Sequence, residues 1–134
     1  MRTESGNKQE QSTPPTQQEG SSLLTFQLAE LTQQLKEEEN WQKSGRGART
    51  LYKSDAMCIV LNVMQAGTEI KPHHTAGPIS VQVVEGRIRF NTEKESVVLG
   101  EGQLLTLQEH VRHNVEALKE TAFLLSMSPL ATKA

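Results

Sequence analysis

The sequence predicts an all-β fold, an antiparallel barrel or sandwich, preceded by a single helix. Three observations carry that expectation. After Gly47 the chain falls into about nine short apolar runs in roughly 80 residues, separated by turn signals such as Gly86 and Thr92-Glu93-Lys94-Glu95-Ser96. Within the run from Pro78 to Val84, Ile79, Val81 and Val83 alternate with Ser80 and Gln82, the period of a strand with one buried face. The same region contains no helical periodicity, no internal repeat and no parallel βαβ rhythm.

Composition narrows the function classes. A length of 134 residues fits one domain. With 14 basic and 16 acidic residues the net charge is −2, which removes any general electrostatic reason to expect nucleic acid or an anionic membrane as partner. The longest apolar run, Ala56 to Leu61, is far too short to span a bilayer, and no apolar run near Met1 reads as a signal peptide. The expected location is therefore the cytoplasm. The single cysteine, Cys58, has no internal disulfide partner and lies in an apolar strand, so it reads as a buried, inert thiol.

Taken in order, residues 1–22 are mostly Gln, Ser, Thr, Glu, Pro and Gly. They bury too little surface to offset their ordering entropy and read as a disordered tail, leaving residues 23–134 for the folded domain. Leu24, Leu28, Leu31 and Leu35 then recur at helical spacing and predict one amphipathic helix over about Gln27 to Glu39. Its acidic polar face directs the leucine stripe to the outside of a barrel, or to a partner subunit, rather than to a membrane. Trp41 anchors the exit, and Ser44-Gly45-Arg46-Gly47 reads as a turn or hinge. The expected strands are Ala48–Lys53, Met57–Met64, Glu69–His74, Pro78–Val84, Arg87–Asn91, Ser96–Leu99, Gln103–Leu107, Arg112–Ala117 and Thr121–Ser128. The second is the most apolar and is expected to be a central strand. Ile79, Val81, Val83, Ile88, Phe90, Leu105, Leu107, Val115, Phe123 and Leu125 are the expected core, and Gln82 faces away from it. Glu93 and Glu95 read as a solvated hairpin tip rather than an acid–base pair, and Arg87 and Arg89 as a solvated strand face.

The stretch from Gly67 to Gly86, GTEIKPHHTAGPISVQVVEG, holds two of the chain's four histidines, and QEHVRHNVEA holds the other two, His110 and His113. Both stretches are expected to face one cavity. There is no Ser-His-Asp order, glycine-rich phosphate loop or paired-cysteine metal motif.

These two stretches resemble the paired motifs of the cupin superfamily. The first cupin motif runs glycine, five residues, His-x-His, three or four residues, glutamate, six residues, glycine; Gly67, His73 and Gly86 stand at those spacings. The second runs glycine, five residues, proline, one residue, glycine, two residues, histidine, three residues, asparagine; Gly102 and His113 match. The resemblance covers about Ala48 to Ser128. It implies a jelly-roll (cupin) β-barrel over about residues 48–128, commonly a homodimer. It also implies a metal site in which two histidines and the glutamate of the first motif join the histidine of the second. Here the second histidine position is Thr75, the glutamate position is Ile79, and Gln108, His110 and Ala117 replace the proline, glycine and asparagine.

His73 and His113 are thus the metal-ligand candidates. His74 or His110 would have to act as an irregular third. Adjacent strand residues point to opposite faces, so His73 and His74 enter together only across a bulge, and the motif register favours His73 inside. Glu69 shares parity with His73, but four residues of strand is roughly 13 Å, too far for one ion's shell. A typical site takes three or four protein ligands. The expected function is accordingly binding of a small molecule in a largely apolar cavity, with His73, Thr75, Ile79 and His113 around it and no strong metal binding. The alternative is a metal-dependent cupin enzyme of dioxygenase or isomerase type, with iron, manganese, nickel or zinc on His73 and His113. A third reading makes the helix and outer sheet an interaction surface.

Overall fold

A computed structural model describes residues 22–128. The expected tail lies outside the described residues, Ser22 excepted. Two short helices come first, α1 (Leu28–Lys36) and α2 (Glu39–Ser44). Nine strands follow among the described residues: β1 (Arg46–Lys53), β2 (Cys58–Met64), β3 (Glu69–His73), β4 (Ile79–Glu85), β5 (Arg87–Thr92), β6 (Ser96–Gly100), β7 (Leu104–Leu107), β8 (His113–Ala117) and β9 (Thr121–Met127). All the described pairings are antiparallel. They form a five-stranded sheet in the order β1-β2-β9-β4-β7 and a four-stranded sheet in the order β3-β8-β5-β6. The non-consecutive neighbours are those of a jelly roll, here two facing sheets whose ladders stay separate. The apolar β2 is an interior strand, paired on one side with β1 and on the other with β9, which occupies the middle of the sheet.

The expected single helix is two. The acidic run Glu37-Glu38-Glu39 is the reason: carboxylates oppose the negative end of a helix dipole and favour its positive end. α1 therefore closes on Lys36 in its last turn, and α2 opens on Glu39 in its first. α2 ends at Gly45, left-handed at φ 78°, so the expected four-residue turn shrinks to one residue and β1 begins already at Arg46.

Alternation along each strand divides apolar side chains between two cores. Met64, Ile79, Val81, Val83 and Phe123 of the larger sheet meet Ile88, Phe90, Leu99, Val115 and Ala117 of the smaller one. Leu105, Leu107 and Leu125 pack partly buried against that cluster. On the outer face of the larger sheet, Leu51, Leu61, Val63 and Ala122 meet Leu31, Leu35 and Trp41, with Leu28 at the margin. The leucine stripe thus packs on the outside of this chain's own sandwich. Cys58 is free and buried, and Gln82 is exposed.

Polar contacts fasten the helices. Arg49 donates to Glu38 at 2.7 Å and to Gln34 at 3.0 Å. Lys36 pairs with Glu85 at 2.8 Å and Glu120 at 2.6 Å. Burial acts to lower the Lys36 pKa, but its hydrogen bonds and attraction to Glu120 and Glu85 outweigh it and hold the value above the ordinary one. No described helix is long and apolar enough to cross a membrane.

Candidate functional site

The cavity opens where β3 and β8 pair. His73 stands opposite His113 in that ladder, and Ile70 opposite Val115, so three steps along β3 match two along β8. This bulge changes the parity of the strand. Ile70 and His73 both face the cavity, whereas Glu69 pairs with Glu116 on the other face. The equal parity expected for Glu69 and His73 on a regular strand does not hold, and the reason is this irregularity.

The His73 and His113 rings lie 4.3 Å apart at 59°. His113 also stacks on Phe90, at 5.2 Å and 13°. Each imidazole is held by the backbone two residues before it: Nδ1 of His73 lies 2.9 Å from the Lys71 carbonyl oxygen, and Nδ1 of His113 lies 2.9 Å from that of Val111. A carbonyl only accepts, so both Nδ1 atoms carry the proton and, in the neutral rings, both Nε2 atoms keep a lone pair. His113 is 3 % exposed. Burial lowers its pKa, the Val111 carbonyl acts in the opposite sense, and the neighbouring charges of His73 and His74 add to the lowering. His73 is exposed and stands at the mouth.

Around this pair is a cavity of about 200 Å3. Ile70, Ile79, Val81, Phe90, Val115, Phe123 and Leu125 form its apolar wall, and Thr75, Asn62 and Arg46 contribute polar groups. Thr75 Oγ1 donates to the Gly77 carbonyl at 2.8 Å, and the His110 N–H donates to the Thr75 carbonyl at 2.8 Å. That second bond joins the two loops that carry the histidine stretches. His73, Thr75, Ile79 and His113 are therefore brought together.

His74 and His110 are not among the lining residues; His110 lies instead beside Thr92, Glu93 and Arg112 in a separate, open depression. The proposed irregular third ligand is corrected on that ground. Among the described residues no group of three or more His, Cys, Asp or Glu side chains is placed to hold a metal ion. An ion between His73 and His113 would have at most two imidazole donors, since Ile79 offers none and the Thr75 hydroxyl is engaged with Gly77. The donor set does not fit a site of three or four protein ligands.

Solved structures with the same architecture come from several proteins. An RmlC-like cupin from Shewanella frigidimarina superposes with a TM-score of 0.61 at 22% identity, over 64% of this chain and 78% of its own. The fold is that of the cupins. KdgF from a Halomonas species matches this cupin fold with a TM-score of 0.60 at 20% identity, over 65% of this chain and 82% of its own. Salicylate 1,2-dioxygenase from Pseudoaminobacter salicylatoxidans matches 81% of this chain at a TM-score of 0.71 and 15% identity, but only 35% of its own length. No family model and no curated protein matches the sequence.

The cupin register explains several backbone details. The motif glycines Gly67, Gly86 and Gly102 have φ of 91°, 95° and 84°. At Gly86 a Cβ would come within 2.3 Å of the Glu120 carbonyl oxygen. His110, at the position where the motif has glycine, keeps the left-handed conformation at φ 66°. Sequence reasoning missed Arg46 and Asn62. Asn62 left a signal, as a lone amide inside the apolar run Cys58–Met64. Arg46 left none beyond a charge next to a turn.

Proposed function

We propose that this cupin-fold chain binds a small organic molecule, held between the His73–His113 pair and the apolar wall formed by Phe90, Phe123 and Leu125. The observation that carries this reading is the pair of imidazoles lining an apolar cavity, each held through Nδ1 by a backbone carbonyl so that Nε2 is left as the acceptor. Such a pair accepts hydrogen bonds from a hydroxyl, amine or amide of a ligand whose body fills the apolar part. A volume of about 200 Å3 corresponds to the space of roughly six or seven water molecules at about 30 Å3 each, so the ligand is small.

A metal-dependent dioxygenase or isomerase is the competing reading. The Nδ1 bonds of both rings to backbone carbonyls speak for it, because metal-ligating histidines also bind a carbonyl or carboxylate through their other nitrogen. The missing third protein donor speaks against it. Elemental analysis of protein grown with added iron, manganese, nickel and zinc separates the two. The ligand-binding reading expects trace metal only. A stoichiometric divalent ion that His113→Ala removes would overturn it.

A further inference from the structure

We propose that Arg46 is the anion anchor of this cavity and that its ligands are small carboxylates with an apolar body. The inference rests on the ligand-binding reading above and adds the charge of the ligand to it. Three observations support it independently of that reading.

First, Arg46 is the only Lys, Arg, Asp or Glu side chain among the residues lining the cavity. Second, no ion pair of Arg46 is found among the described residues, whereas Arg49 is paired with Glu38 and Arg89 with Glu116. The Arg46 guanidinium makes one long contact, Nη1 to the Glu69 carbonyl at 3.4 Å. A guanidinium has five N–H donors in a planar fork that fits a carboxylate, so most of that capacity is left for a ligand. Third, the arginine is set in place by its backbone. Asn40 Nδ2 donates to the Arg46 carbonyl at 2.9 Å, the Arg46 N–H donates to Ser44 Oγ at 3.2 Å, and Gly45 turns the chain out of α2 directly before it. α2 and its left-handed cap thus present a cation at the cavity edge.

The remaining polar groups fix the orientation. His73 and His113 offer lone pairs, and the Thr75 hydroxyl proton is committed to Gly77. Lone pairs repel a carboxylate and accept from a donor. The ligand's anionic head therefore lies at Arg46, and any hydroxyl or amine it carries lies at the imidazoles.

The test uses isosteric pairs that differ in charge: benzoate with benzamide, and pentanoate with pentanamide. Binding to the full chain is followed by calorimetry and by the NMR signals of the His73 and His113 rings. Wild type is expected to bind each acid about tenfold or more tighter than its amide, the scale of one charge-assisted hydrogen bond. Arg46→Gln is expected to remove that difference while circular dichroism stays unchanged, since the side chain is exposed. Arg46→Lys is expected to keep part of it, because an ammonium retains the charge but loses the fork. Equal binding of acid and amide to wild type, or undiminished acid binding by Arg46→Gln, overturns the anchor and leaves the pocket reading standing. If neither member of any pair perturbs the histidine rings, the pocket reading fails and the anchor fails with it.

Discussion

The two faces of the five-stranded sheet are made by alternate residues of the same strands, yet they treat polar groups in opposite ways. On the outer face the long polar side chains that cross between sheet and helices are paired: Arg49 with Glu38 and Gln34, Lys36 with Glu85 and Glu120. The space between is filled by Leu31, Leu35, Trp41, Leu61 and Val63. On the inner face the chain keeps a cavity and turns into it Asn62, His73 and His113, whose free acceptors have no need of one another. Within β2 the division runs residue by residue, Leu61 and Val63 outward, Asn62 and Met64 inward. Unpartnered acceptors cost free energy in a core. The inner acceptors lie next to an opening, whereas the one buried side-chain oxygen without a hydrogen-bond partner among the described residues, Thr32 Oγ1, lies in helix α1 of the outer layer.

Truncation of the outer layer is the largest expected effect. Leu35 is 1 % exposed, and Leu35→Ala should cost about 3 kcal/mol in urea unfolding. A loss under about 1 kcal/mol would mean that the helices are not part of the cooperative unit and would dissolve the comparison.

The inner face should answer differently. His113→Phe preserves a ring against Phe90 and removes a buried polar group, so stability should stay within about 1 kcal/mol of wild type while ligand binding is lost. A pH titration sharpens this contrast. Because the folded His113 pKa lies below that of the unfolded chain, the unfolded state takes up a proton first as pH falls. The His113 contribution should be complete above about pH 6.5 and decline below it until the depressed folded value is passed. The His113→Phe variant should lose this part of the slope, and an unchanged slope would place the titration elsewhere.

His110→Gly should stabilise by about 0.5–1 kcal/mol in thermal unfolding, since glycine adopts a φ of 66° without the Cβ penalty. A destabilised variant would show that the His110 side chain contributes to the open depression beside Arg112. The smallest effect belongs to Lys36→Met. Its carboxylate partners are partly exposed, so the loss should stay below about 1 kcal/mol and shrink with added salt.

What the sequence alone determined is local. Alternation at Ile79, Val81 and Val83 and turn residues such as Gly86 marked the strands within a residue or two, because side-chain direction in a strand depends only on its neighbours. Leucine spacing announced a helix and its apolar stripe, and the motif spacings placed His73 and His113 together. Tertiary structure alone decided the rest. The bulge between Ile70 and His73 put Glu69 on the opposite face from His73, the order of the strands put β9 between β2 and β4, and the cap at Gly45 carried Arg46 to the cavity edge. These outcomes depend on register between segments far apart in the chain, and register is set by cross-strand packing that no local pattern encodes.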